Sequence, residues 1–204
     1  MAASYCYNRR MAFTNFETKE INCKILYLGP SGAGKSSNLR AIFNQTSPEV
    51  KAGLLELSED GVGQSVFFEF LPVSLGFIRN YHLKLHLYTI PSQTLYETVR
   101  SVIMKGVDGF VFVADSAPEK LASNVEELQL VRKILSEEGL VHSDMPSVIQ
   151  YNKRDMPGAV PVEVLRSELN PSRHVDFEAS AKHGMGVLES LQEISAQVIR
   201  RLAG

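Results

Sequence analysis

The chain has 204 residues, 44% of them apolar and 22% charged, with a formal net charge of −2. That is enough apolar material for one compact core, and too little net charge to recruit nucleic acid or an acidic membrane by electrostatics alone. Cys6 and Cys23 lack metal-ligand spacing, no apolar run approaches a bilayer span, and position 2 is Ala rather than a myristoylated Gly, so a cytoplasmic chain with reduced thiols and no direct membrane anchor is expected.

Residues 1–20, where polar and charged side chains interrupt every period, are expected to be an irregular arm, with a single domain over 21–204. The apolar run 21–28 suits a strand. It leads into Gly29-Pro30-Ser31-Gly32-Ala33-Gly34-Lys35-Ser36, and a helical period follows over 35–44. Strand, glycine-rich octet and helix in that order form the context of a phosphate loop, whose backbone curls until successive N–H groups converge on a polyphosphate. Gly29, Ser31, Gly32, Ala33, Gly34, Lys35, Ser36 and Ser37 are therefore the candidate phosphate-binding residues. Lys35 is placed to reach the β and γ phosphates, the Ser36 hydroxyl is a candidate Mg²⁺ ligand, and the helix adds its positive N-terminal end.

The segment 45–64 holds Ser47-Pro48, Gly53, Gly61 and Gly63 and reads as a mobile connection able to close over a ligand. Strands are expected at 65–71 and 83–88 with no helix between them, hence an antiparallel pair at one sheet edge. The alternation then continues with a helix over 94–104, a strand at 110–114, a helix over 125–135, a strand at 147–151, a helix over 162–169, a strand at 175–177 and a helix over 187–202. Short buried apolar runs alternating with helices imply an α/β fold: a six-stranded, mainly parallel sheet with one antiparallel edge strand and helices on both faces.

After the strand at 147–151 comes Asn152-Lys153-Arg154-Asp155. A carboxylate at that point can accept from both the N1–H and the exocyclic amine of guanine, a donor pair that adenine lacks, which makes Asn152, Lys153 and Asp155 candidate base-binding residues. Ser180-Ala181-Lys182 matches a last guanine-contacting element, in which a backbone N–H meets the base oxygen. In order and rough spacing the three elements resemble a Ras-like small GTPase, over nearly everything from 21 to 202. More closely, the chain resembles the bacterial MglA polarity GTPases, through Asn22-Cys23-Lys24-Ile25, Phe67-Phe68-Glu69-Phe70-Leu71-Pro72, and His86-Leu87-Tyr88-Thr89 running into Pro91. Gly106-Val107-Asp108-Gly109, Val111-Phe112-Val113-Ala114-Asp115 and Val148-Ile149-Gln150-Tyr151 leading into Asn152 extend the match.

That resemblance implies a P-loop NTPase with a Ras-like G domain, GTP or GDP with Mg²⁺ as cofactors, and slow hydrolysis of GTP. Gln93, closing Thr89-Ile90-Pro91-Ser92-Gln93, corresponds to the residue that aligns the attacking water, so Gln93 and Lys35 are the catalytic candidates. Thr89 stands where other Ras-like proteins carry an acid, a change the MglA group shares, and Glu69 on the neighbouring strand is an alternative source of that charge. Ser92 stands where glycine is usual and its N–H would touch the γ-phosphate. In the preceding loop the MglA group carries Arg-Thr; here the matching pair is Gln64-Ser65, so Ser65 remains a candidate Mg²⁺ ligand while the intrinsic arginine finger is missing. Such a finger is worth on the order of 10³–10⁵ in rate. Lys51, Arg79 and Arg100 are alternative cations, each also readable as solvated surface charge.

The partners implied are a roadblock-type GTPase-activating dimer such as MglB and polarity effector proteins, with recruitment to a cell pole. Two rival functions are a GTP-holding scaffold without hydrolysis and a P-loop kinase of a small metabolite; the second lacks an arginine-rich lid and is opposed by Asp155. His82 and His86 share one face of a strand, but no third ligand is apparent and Lys84 lies between them.

Overall fold

The computed structural model describes residues 13–58, 66–90, 103–139 and 145–203. Its strands are β1 (Phe13–Asn15), β2 (Glu20–Leu28), β3 (Leu55–Ser58), β4 (Val66–Ile78), β5 (Tyr81–Thr89), β6 (Gly109–Asp115), β7 (Ser147–Asn152) and β8 (Val175–Glu178). The helices are α1 (Lys35–Gln45), α2 (Leu121–Glu137), α3 (Val162–Leu169) and α4 (Val187–Ala203). All eight strands join one sheet in the order β3-β4-β5-β2-β6-β7-β8, with β1 added against β2. From β5 to β8 every pairing is parallel, while β4 runs antiparallel to both β5 and β3.

Side chains alternate across the sheet and build two cores. Ile25, Tyr27, Val111 and Val113 pack with Leu39 and Ile42 of α1 and Leu191, Ile194 and Val198 of α4 on one face. Leu26, Leu28, Phe110 and Phe112 pack with Leu128, Val131 and Leu135 of α2 and Leu165 and Leu169 of α3 on the other. Burial on both faces is what the unbroken apolar runs of β6 and β7 require. The order of strands reverses at β2, whose neighbours are β5 and β6. The crevice at its C-terminal end is the topological switch point at which open α/β sheets bind ligands.

The sheet is larger than the six strands expected. β1, within the arm expected to be irregular, is a strand because Phe13, Thr14 and Asn15 find antiparallel partners in Asn22, Ile21 and Glu20. β3 lies within the segment expected to be a mobile connection; Leu55 and Glu56 pair with Phe70 and Glu69, so the connection returns along the outer edge of β4. Local composition pointed to a loop, and the free edge of β4 overrode it.

β4 and β5 are also longer than expected, joined by a tight turn at Arg79 and Asn80, both with positive φ (46° and 68°), which matches the twist of a hairpin. Pro72 falls inside β4, where its carbonyl accepts from the Ala52 N–H on the outer side. The donor that proline lacks faces that outer side too, so no bond of the β4–β5 ladder is lost. Of the helix expected over 94–104, Ile103 and Met104 are helical and 94–102 lie outside the described residues. No helix among the described residues is long and apolar enough to cross a membrane.

Candidate functional site

Leu28, the last residue of β2, hands the chain to the glycine-rich octet at the switch point. Gly29 has φ 142° and sits so close to β6 that a Cβ there would lie 2.1 Å from the Val113 carbonyl oxygen. Gly34, left-handed at φ 102° and ψ 23°, is the N-cap of α1. A Cβ on it would come within 2.2 Å of the Asn152 side-chain amide. The sequence thus uses glycine where the loop passes under a neighbouring backbone and where it turns into the helix. Lys35 is buried, its Nζ donating to the carbonyls of Gly29 (2.7 Å) and Pro30 (2.9 Å), so the ammonium spans the loop. Ser31 and Gly32 are exposed at its tip, Ala33 is buried, Ser36 is half-buried in the first turn of α1, and Ser37 is exposed.

Asn152, at the end of β7, ties this loop to the second group of predicted residues. Its Nδ2 donates to the Ala33 carbonyl at 2.7 Å and its Oδ1 accepts from the Ala181 N–H at 2.8 Å. Lys153 follows with φ 66°, its Nζ donating to Asp115 Oδ2 at 2.6 Å. Asp155 Oδ1 accepts from the Ser180 hydroxyl at 2.6 Å, and His183 Nε2 lies 3.7 Å from the other oxygen. The Ser180 bond, with smaller help from the neighbouring side chains, holds the Asp155 carboxyl below the usual range and therefore ionised. Ser180 is buried and braced by bonds to Met185 in both directions, while Lys182 is exposed. A buried lysine under a curled backbone suits an anionic group, and an ionised carboxylate suits a planar ring with paired donors; the Ala181 N–H, expected to meet the base oxygen, donates here to Asn152 Oδ1.

No protein-family model matches the chain. The mutual gliding-motility protein MglA of Myxococcus xanthus (strain DK1622) is 45% identical to it over 192 residues, which cover 94% of this chain and 98% of that protein. The chain belongs to the MglA family. MglA-family membership agrees with the mostly parallel sheet and helices on both faces expected of a Ras-like G domain.

Of the residues singled out from the sequence, Gln64, Ser65, Ser92 and Gln93, named by the family resemblance, and the alternative cation Arg100 lie outside the described ones. Of the alternative cations, Lys51 donates to the Phe43 carbonyl and lies over the Phe43 ring, tethering the chain after α1. Arg79 occupies the β4–β5 turn, at the far end of the sheet from the phosphate loop. Glu69 is fully buried, bonded to Arg40 and to the Thr89 hydroxyl. His82 and His86 bond instead to Ser74 (2.6 Å) and Asn22 (2.8 Å).

Several residues of this MglA-family site were not singled out from sequence. Asp115 is fully buried, receives the Ala117 N–H at 3.1 Å and anchors Lys153; the sign available was a carboxylate closing a wholly apolar strand. Asn38 and Gln150 are fully buried too; Asn38 stands with Leu39 and Ile42 on the apolar stripe of α1, where a polar residue is out of place.

Proposed function

We propose that this protein is a guanine-nucleotide switch that binds GTP with Mg²⁺, hydrolyses it slowly to GDP and phosphate, and recruits protein effectors in the GTP state. The observation that carries this reading is the pair of hydrogen bonds from the Asn152 side chain to Ala33 and Ala181, which ties the phosphate-loop candidates to the base-loop candidates with Asp155 ionised beside them. The residues fit the group: Gly29, Ser31, Gly32, Ala33 and Gly34, with Lys35, Ser36 and Ser37, would hold the polyphosphate, and Asn152, Lys153, Asp155, Ser180, Ala181 and Lys182 the base. Mg²⁺ would be held by Ser36 and Ser65, and when bound it offsets charge on the phosphate oxygens.

Gln93 would orient the attacking water and Ser92 would meet the terminal phosphate. Gln64, neutral where the family resemblance expects arginine, supports a slow unaided rate and dependence on an activator. The gliding-motility name of the M. xanthus relative supports a role in motility; a role in polarity, with a roadblock-type activator and pole-bound effectors as partners, is what the family resemblance implies.

The nucleotide carried by the purified protein, identified by chromatography, tests the binding reading: GTP or GDP supports it, and a chain that neither carries nor binds guanine nucleotide in calorimetric titration with Mg²⁺ overturns it. Single-turnover phosphate release with and without a roadblock-type activator separates the switch from the second reading, a GTP-holding scaffold, which Gln64 and Ser92 favour. Release in neither condition supports the scaffold.

A further inference from the structure

Three polar side chains lie with no solvent exposure in the core between the sheet and helices α1 and α4: Asn38, Gln150 and Ser190. Gln150 Nε2 donates to Asn38 Oδ1 at 2.9 Å and to Ser190 Oγ at 3.2 Å. Ser190 Oγ in turn donates to the Gly186 carbonyl at 2.6 Å. Asn38 Nδ2 donates to the Gly34 carbonyl at 3.0 Å. The Gln150 Oε1 makes no hydrogen bond among the described residues. Burying amides with an oxygen left over is unfavourable compared with an apolar core of the same volume, and local rules of this kind are broken where function needs it.

What the chain obtains is a second restraint on one peptide. The Gly34 carbonyl already accepts the first hydrogen bond of α1, from the Asn38 N–H at 2.9 Å, but that bond is anchored on glycine, the residue with the most backbone freedom. Asn38 adds a lateral bond to the same oxygen. Because the peptide group is planar and trans, a carbonyl held down toward the helix leaves the Lys35 N–H turned the opposite way, toward the curl of the loop. Asn152 does the same for the preceding peptide by holding the Ala33 carbonyl. Gln150 and Asn152 sit two residues apart on β7 and so point to the same face of the sheet. One strand face thus restrains two successive peptides of the phosphate loop, and its other bonds run to Ala181 and to Gly186 just before α4.

The geometry points to Asn38, braced by Gln150 and Ser190, as a positioning residue for the diphosphate of the bound nucleotide, acting through the orientation of the Gly34–Lys35 peptide. This rests on the guanine-nucleotide reading above, and the experiment separates the two. Titrations of GDP and of inosine diphosphate, which lacks the exocyclic amine, into the full chain with Mg²⁺ report both overall affinity and base discrimination. In Asn38→Leu the GDP affinity is expected to fall at least tenfold while the ratio between GDP and inosine diphosphate stays within twofold of wild type. Gln150→Ala, which removes the brace and leaves α1 intact, is expected to lower GDP affinity three- to tenfold. Adding it to Asn38→Leu should produce no further loss. Unchanged GDP affinity in either single variant, additive losses in the double variant, or loss of base discrimination in parallel with affinity would overturn the positioning role. A wild-type chain that binds neither diphosphate overturns the guanine reading itself and this inference with it.

Discussion

Arg40 on α1 and Glu69 on β4 form an ion pair of 3.0 Å in which the carboxylate is completely buried and the guanidinium half exposed. The second Glu69 oxygen faces the Thr89 hydroxyl at 3.5 Å, and the Glu69 N–H donates to that same hydroxyl at 3.0 Å. The helix that begins at the phosphate loop is thereby joined to the start of β4 and the end of β5. Removing the cation alone leaves an uncompensated buried charge. Arg40→Ala is expected to destabilise the fold by about 2–4 kcal/mol, somewhat below the value for a fully buried pair because Arg40 reaches water. The double variant Arg40→Ala, Glu69→Gln should recover part of that loss in urea unfolding; if the double variant is less stable than the single one, the buried charge is not the cause.

Glycine at position 29 is required for space, and at position 32 only for its dihedral. A Cβ on Gly29 would meet a backbone carbonyl at 2.1 Å, whereas one on Gly32, at φ 77°, would meet nothing within 4 Å. Gly29→Ala should cost about 3 kcal/mol or more, and Gly32→Ala about 1–2 kcal/mol, the ordinary penalty for a left-handed alanine. Equal midpoints in thermal unfolding would contradict the close approach of the loop to β6.

Burial pushes the Asp108 carboxyl up to about 6, although it accepts the Lys24 N–H at 2.7 Å. Its unfolded value is near 3.8, so between about pH 4 and 6 the folded chain keeps a proton that the unfolded chain has released. This group's contribution therefore favours the fold at low pH and is lost as pH rises through 6, leaving a cost of up to about 3 kcal/mol at neutral pH. Asp108→Asn retains an oxygen for the Lys24 N–H and removes the titration. It should be at least as stable as wild type at pH 7, with the difference shrinking on acidification to pH 4. A difference that does not vary with pH would assign the effect to packing.

Asp155→Ala should weaken GTP binding by at least about 10–100-fold, the worth of one hydrogen bond to a charged group, and bring the affinities for GTP and inosine triphosphate together. Calorimetry of the two nucleotides on wild type and variant measures this directly. Preserved discrimination would place guanine recognition elsewhere.

Gln64, outside the described residues, stands where arginine is expected from the family. Gln64→Arg is expected to raise the single-turnover hydrolysis rate by at least about tenfold, toward the 10³–10⁵ of a well-placed arginine finger. No change in rate would mean that the loop aligns differently or that another cation already serves.

The phosphate loop, the Asn152-Lys153-Arg154-Asp155 turn and the alternation of strands with helices were legible in the chain because each is a local pattern: glycines where the backbone must curl, a polar turn after an apolar strand, a change of period. The strands β1 and β3 were not, since Phe13–Asn15 and Leu55–Ser58 are too short to carry a sustained apolar alternation of their own, and are strands by virtue of the edges they pair with. The same limit explains Asn38, Gln150, Asp115 and Glu69. Their residue types are plain in the sequence, but that each is buried and bonded to a residue between 9 and 112 positions away is a property of the packed chain. Local chemistry wrote the site's vocabulary into the sequence, and long-range burial, which makes an unpaired polar group unfavourable, decided which of those groups meet.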